Sequence, residues 1–372
     1  MIRVLHVIQL HLGGAETTVM NYYRNIDRTK VQFDFLYITD EPEDVIHYYQ
    51  NEAISLGARI FYTPFSNKKL FKKVLSLYKI FKENPEIKKI HIHRDNSPGA
   101  AKLALLSMIF GIKVRIAHSP TAMPQTTLSH KIFQPMLRFA ATHWFAYSTE
   151  AGESLFGKNK WKGKKAIFFY NARDLMQFRF SEERRQQIRK TLSIKSIQTV
   201  LLNIGRLEPI KNQGFLLDAF AIAIQRKPEL LLLFAGVDQG EKAKLIRKAE
   251  MLEIEHAVRF LGERDDIPEL FQAADLFLLP SLHEGLPGVV IEAQAAGLPC
   301  LLSDTITKEC KITELVEFLP INNGASIWAD RIIEFKPSTR YDTIDEVKKA
   351  GFEIKDAAKK LEEFYLTTVE KS

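Results

Sequence analysis

Short runs of apolar and β-branched residues recur along the chain, each followed by a longer stretch with apolar positions at helical spacing. In the first half the runs are "RVLHVIQL", "FDFLYIT", "ARIFYTP", "KKIHIH", "VRIAHS", "HWFAYS" and "AIFFYN". In the second half they are "TVLLNIG", "LLLLFAG", "VRFLG", "LFLLPS" and "CLLS". Runs apolar on both faces predict parallel strands covered by helices, and their alternation with helices predicts right-handed βαβ units. The charged segment "YNARDLMQFRFSEERRQQIRK" separates the two series. The chain is therefore expected to be an α/β protein with two doubly wound, Rossmann-like parallel-sheet domains, residues 1–175 and 176–342. Residues 343–372 are charged, helical in character and without a further strand, and are expected to form a helical segment that crosses back to the N-terminal domain.

Charge narrows the partners. A net +7 and a pI near 9.1 call for an anion: nucleic acid, an anionic membrane or a phosphorylated small molecule. No zinc spacing, RNP-like run or basic–aromatic interleaving is present, so no nucleic acid is expected. Two cysteines, Cys300 and Cys310, cannot build a disulfide framework and suit a reducing compartment. "MIRVLHVIQL" reads as a buried strand rather than a signal sequence, and no apolar run reaches the ~18 residues of a membrane span. A cytoplasmic protein is expected. "NKKLFKKVLSLYKIFKENPEIKK" predicts a basic amphipathic helix with its apolar side in the core. Its lysines, including Lys68, Lys69, Lys72 and Lys73, are either solvated or a docking face for an anionic membrane surface.

In open α/β sheets ligands sit beyond the carboxyl ends of the strands, so the loops that follow the strands carry the chemistry. "HLGGAE" brings Gly13 and Gly14 to the start of the first helix, where a backbone can approach an anion; a tight turn requiring glycine is the alternative. "NIGRLEPIKN" puts Arg206, a planar fork, and Lys211, a mobile point charge, after one strand. The pair suits a pyrophosphate, and two solvated cations are the alternative. "HEGLPGVVIEAQAAG" places Glu284 in a loop and Glu292 inside a helix that begins near Pro287. That spacing disfavours a glycosidase-like acid–base pair, which needs a common gap of roughly 5–10 Å. It fits two contacts on one elongated ligand, with amides of Gly285–Gly288 between them. In "HIH", His91 and His93 point the same way along a strand; with no third ligand in view a structural role is favoured over a metal site.

Together these motifs resemble the retaining nucleotide-sugar glycosyltransferases of the GT-B fold, family four: a strand followed by GR and four residues and K, then EGLPG, then Glu, seven residues and Glu, with "GGAE" near the start. The likeness spans essentially the whole chain. "PCLLSDTITKE" and the compact length resemble the branch that builds bacterial capsular polysaccharides and exopolysaccharides. "YNARD" stands where relatives often carry Asn-Gly-Val-Asp, keeping Asn171 and Asp174, and "SDTITKE" lacks the glycine pair many relatives have there.

The resemblance implies two domains facing across a cleft, an N-terminal one for the acceptor and a C-terminal one for the nucleotide sugar. It implies that Arg206 and Lys211, beside Gly205, hold the donor diphosphate. Glu284 would contact the transferred sugar, with Gly285, Leu286 and Pro287 near sugar and phosphate, and Glu292 would take the ribose hydroxyls. Gly13 and Gly14 would line the cleft, Gly262 and Glu263 would lie near the base, and His118 would orient the sugar or act as acid or base. The implied reaction moves a hexose or N-acetylhexosamine from a nucleotide sugar, with a UDP-sugar expected, to a saccharide acceptor that is lipid-linked. Anomeric configuration is retained. No D-x-D occurs, so no metal and no cofactor is expected. A GT-B sugar-nucleotide epimerase is the alternative reading.

Overall fold

The computed structural model describes residues 1–42, 44–65, 70–121, 127–161 and 166–368. It divides into two compact units, Met1–Arg173 with Glu353–Ser372, and Asp174–Phe352. The first holds a seven-stranded parallel sheet of β1 (Ile2–Val7), β2 (Val31–Ile38), β3 (Ile60–Thr63), β4 (Ile87–His93), β5 (Val114–Ser119), β6 (His143–Ala146) and β7 (Ala166–Phe168), in the order β3-β2-β1-β4-β5-β6-β7. The second holds six parallel strands, β8 (Thr199–Ile204), β9 (Leu230–Ala235), β10 (Val258–Phe260), β11 (Leu276–Leu279), β12 (Cys300–Ser303) and β13 (Val316–Leu319), in the order β10-β9-β8-β11-β12-β13.

The apolar runs form these strands because both faces are covered. Every residue of β2, β8 and β9 is buried. In the first unit one face packs Tyr23, Phe33, Phe35, Phe145 and Tyr365, and the other packs Leu77, Ile92, Leu103, Trp144 and Trp161. In the second, Phe220, Leu232, Phe234 and Trp328 share one core. β13, "VEFL", is a strand that the apolar pattern does not announce. It lies at the sheet edge, where Glu317 is half exposed and pairs with Arg331 at 2.8 Å.

The helix Ile354–Thr367 belongs to the first unit, entered through a parallel bridge between Arg173 and Glu353. Its Tyr365 hydroxyl shares a 2.6 Å hydrogen bond with His91 Nδ1, and its Glu362 pairs with Lys30 at 3.1 Å. The returning segment is shorter than expected. Residues 343–352 stay with the second unit, because Ile344 and Val347 are buried there and the Thr343 hydroxyl donates to the Gln294 carbonyl.

The basic helix forms over Leu70–Glu83, but its apolar residues divide between core and surface. Leu77, Ile80 and Phe81 are buried, whereas Phe71, Leu75 and Tyr78 are exposed. Lys72, Lys79 and Lys82 flank them in solvent; Lys68 and Lys69 lie outside the described residues. No helix among the described residues is long and apolar enough to cross a membrane.

Removing the Tyr365 hydroxyl should leave His91 Nδ1 buried and unpaired, at about 1–3 kcal/mol. Urea unfolding of Tyr365→Phe measures the loss; an unchanged midpoint would show that the terminal helix is not anchored through this bond.

Candidate functional site

Strand order reverses between β1 and β4 in the first sheet and between β8 and β11 in the second. At such a switch the loops leaving neighbouring strands diverge and open a crevice. In the second unit the diverging loops are "GRLEPIKN" after β8 and "SLHEGLPG" after β11. They are tied to each other by backbone and side chain. Leu282 N–H donates to the Ile210 carbonyl at 2.8 Å, and Asn212 Nδ2 donates to the Pro280 carbonyl at 3.1 Å from a left-handed backbone with φ of 55°. Lys211 Nζ donates to Glu284 Oε1, which also accepts from the Ser281 hydroxyl at 2.9 Å. Glu284 further forms a parallel bridge with Ile306, while the Thr305 hydroxyl reaches the Ser281 carbonyl at 2.8 Å, so the loop after β12 completes the wall.

Arg206 points outward at 63% exposure and meets Glu208 at 2.9 Å, an ion contact without hydrogen-bond alignment. Gly205 lies against the stem of Lys211, where an added Cβ would sit 3.4 Å from Cε. Glycines line the next two strand ends as well. Gly236 N–H donates to the Gly262 carbonyl at 2.8 Å, and a Cβ on Gly236 would come within 2.1 Å of the Gly205 carbonyl oxygen. Gly236, at φ of 144°, is thus required for the loops to close up. The sequence marks "GVDQG" as a strand-end loop but assigns Gly236 no role. Gly262 has φ of 73°, and Glu263 beside it is exposed.

The helix after "EGLPG" runs Gly288–Ala295, with Pro287 as its extended N-cap rather than its first turn. The proline sits one residue earlier than expected because its ψ of 110° is not helical. Pro287 makes no side-chain cap for this helix start, and Gly285 and Leu286 lead into it half-buried. Glu292 lies on the second turn of the helix and is partly accessible.

Gly13, Gly14 and His118 belong to the first unit. There the helix Gly14–Asn25 starts at Gly13, but the Glu16 carboxylate folds back onto its own backbone N–H. A Cβ on Gly13 would meet Glu16 Oε2 at 2.4 Å, whereas one on Gly14 would meet open space. Gly13 therefore makes room for an acid that already occupies the helix start. Burial raises the Glu16 carboxyl above the ordinary carboxylate range. Glu16 lines a cavity of about 160 Å³ with His11, His93, Arg94 and Asp95.

His118 is the penultimate residue of β5 and is fully buried. Register brings it beside His93, and His6 on β1 beside His91. His118 Nδ1 contacts His93 Nδ1 at 3.0 Å, and His93 Nε2 contacts His6 Nδ1 at 3.0 Å, so three imidazoles form one hydrogen-bonded chain. His6 is the third ring that "HIH" lacked. Nitrogens of His6, His91 and His93 lie within 4.8 Å of one another, a donor set of the kind that takes Zn²⁺-class ions; here two of these rings are hydrogen-bonded to each other. Burial, followed by neighbouring rings or Arg94, pushes all four imidazoles down, His93 to about 3, so they are neutral. The Nε2 atoms of His6, His91 and His118 have no partner among the described residues.

Each folded histidine titrates below its unfolded value near 6.5, so below that pH the unfolded chain takes up protons that the folded chain refuses. Stability should fall as pH drops from about 6.5 toward 3, by up to ~1.4 kcal/mol per unit per histidine. Denaturant midpoints at descending pH measure the slope. His6→Phe should reduce it by one proton's worth, and an equal slope in that variant would contradict neutral burial.

The family profile described as glycosyl transferases group 1 matches residues 184–335. EpsF of Bacillus subtilis (strain 168), named as a glycosyltransferase, is 34% identical over 341 residues, covering 89% of this chain and 86% of that protein. The UDP-Gal:alpha-D-GlcNAc-diphosphoundecaprenol alpha-1,3-galactosyltransferase of Escherichia coli is 26% identical over 322 residues, covering 84% of this chain and 81% of its own. The crystal structure of HepE from Anabaena, in complex with UDP and glucose, aligns with a TM-score of 0.74 at 19% identity over 99% of this chain and 100% of that one, a likeness of fold.

Proposed function

The chain belongs to the glycosyl transferases of group 1, and we propose that within this group it is a retaining GT-B enzyme of family four acting in bacterial capsular or exopolysaccharide synthesis. It moves a hexose or N-acetylhexosamine from a UDP-sugar to a lipid-linked saccharide. The second unit binds the donor and the first the acceptor. One observation carries this reading: the loops that diverge at the β8/β11 switch present Arg206, Lys211, Glu284 and an uncapped helix start together. The E. coli relative, named for UDP-Gal and a diphosphoundecaprenol acceptor, supports donor and acceptor class, and the UDP complex of HepE supports the base.

Breaking the sugar–phosphate bond builds negative charge on the diphosphate and positive charge on the anomeric carbon. Arg206, Lys211 and the amides at Gly288 stabilise the first, as preorganised donors do most effectively in a water-poor site. Glu284 orients Lys211 before the donor arrives and then meets the sugar hydroxyls; Glu292 takes the ribose hydroxyls. The acceptor attacks from the face the diphosphate leaves, its proton passing to a departing phosphate oxygen, which retains configuration. Burial keeps His118 neutral and its Nδ1 contact with His93 fixes the ring; because Nε2 is itself buried, its part is to position the strand end rather than to touch the sugar. With two cations on the diphosphate, turnover is metal-independent and should survive EDTA.

Thermal shift with UDP-, GDP- and ADP-sugars tests the donor. A ligand at a hundred times its Kd adds about 2.7 kcal/mol, and the UDP-sugar should give the largest shift. No shift with any nucleotide sugar would overturn the reading. Proton NMR of the product should find the donor's anomeric configuration, and inversion would refute the mechanism. Nucleotide-sugar epimerisation without acceptor would favour an epimerase instead.

The protein is proposed to work in the cytoplasm at the inner face of the membrane. Exposed Phe71, Leu75 and Tyr78 between Lys72, Lys79 and Lys82 support docking of the helix Leu70–Glu83 on anionic lipid. Changing Lys72, Lys79 and Lys82 to glutamate should abolish co-sedimentation with anionic vesicles. Undiminished co-sedimentation would place the contact elsewhere.

A further inference from the structure

A cavity of about 730 Å³ in the first unit, within the range of small-molecule sites, is lined by no residue of the Gly13 loop. It opens between the helices Leu70–Glu83 and Ser97–Ile109, beyond the ends of β2 and β4. Its apolar wall includes Ile38, Phe65, Val74 and Leu106. Three cations, Lys73, Arg94 and Lys102, share that wall. Among the described residues none of the three forms an ion pair with a carboxylate; Asp40 and Asp95 act on Lys73 and Arg94 through space only. Burial lowers the Lys73 ammonium and the Arg94 guanidinium below their ordinary ranges, and Lys73 also feels Arg94 and Lys102.

Lys73 and Arg94 are partly buried beside the exposed Lys102, and the two aspartates leave positive charge in excess, so an anion placed among the three relieves the cost. A guanidinium fork flanked by two ammonium groups matches a diphosphate. The apolar wall does not suit free pyrophosphate or a nucleotide; it suits an anion that carries a hydrocarbon chain. Arg94 also lines the small polar cavity that holds His11, Glu16 and Asp95. A diphosphate at Arg94 would therefore have a polar chamber on one side and an apolar one on the other. Lys73 and Val74, on the apolar side, come from the same helix that exposes Phe71, Leu75 and Tyr78.

We propose that this cavity binds the lipid diphosphate of the acceptor, with Lys73, Arg94 and Lys102 on the phosphates, the first segment of the hydrocarbon chain along Val74 and Leu106, and the sugar toward Glu16. This rests on the transferase reading above and assigns the place where that enzyme holds its acceptor.

Calorimetric titration of the full chain with farnesyl diphosphate tests it, with inorganic pyrophosphate and farnesol as separate arms. Farnesyl diphosphate should bind at least about tenfold more tightly than either arm, because charge and chain are both read. Lys73→Glu and Lys102→Glu should each weaken it by roughly tenfold or more, the scale of one charge-assisted contact. Both variants should bind UDP as the wild type does, which also reports that they are folded. Arg206→Ala should bind farnesyl diphosphate normally. Equal binding of pyrophosphate, equal binding of farnesol, or indifference to both lysine variants would each overturn the proposal. Failure of the wild type to bind UDP would instead strike the transferase reading and leave the farnesyl diphosphate result to stand by itself.

Discussion

The ion pair between Lys211 and Glu284 joins the two loops that part at the strand-order switch of the second unit. Parallel strands deliver every loop to the same edge of the sheet, but only at the switch do neighbouring loops turn away from each other. The pair is the charged one of three ties between these loops, half-buried and helped by the Ser281 hydroxyl on the same carboxylate oxygen. It adds to the Leu282–Ile210 and Asn212–Pro280 hydrogen bonds between the same loops and fixes where the Lys211 ammonium sits. On the proposed function an incoming diphosphate would compete with Glu284 for Lys211, making the pair both a scaffold and a reserve of charge.

The first unit solves a different problem. Its central strands bring four imidazoles into an aromatic layer that includes Phe33, Phe145 and Phe169. Protonating any of them there would bury an unbalanced charge, so burial keeps them neutral, while hydrogen bonds among His6, His93 and His118 and from His91 to Tyr365 fix their orientation. His118 and His93 form the end of that chain nearest the carboxyl edge of the sheet. His93 also lines the small cavity with Glu16 and Arg94, so the structural core runs continuously into the site.

Much of this was legible in the residues. Strands with both faces covered are nearly all apolar, and twelve of the thirteen announced themselves in that way; β13 did not, because Glu317 can remain half exposed at an edge. The motif residues of the second unit do lie on the loops after β8 and β11, where the strand pattern places them, and Lys211 and Glu284 meet there. What the chain could not disclose was register. His6 joins His93 only because β1 lies beside β4, a pairing that spans 87 positions. The seat of Glu16 on its own helix start, and the exposure of Phe71, Leu75 and Tyr78, likewise depend on what packs against them. Helical spacing told that the basic helix is amphipathic but not how wide a face the sheet would cover.

The most direct measurement compares UDP and UDP-sugar affinities in wild type, Lys211→Ala and Glu284→Gln by calorimetry. Lys211→Ala should lose affinity for both ligands by roughly ten- to a hundredfold, the value of one charged hydrogen bond. Glu284→Gln should hold UDP as well as wild type, because the carboxylate that competes for Lys211 is gone, while its grip on the UDP-sugar falls. If Lys211→Ala binds UDP undiminished, or if Glu284→Gln loses both ligands equally, the two residues do not divide phosphate and sugar between them and the account of the site is wrong.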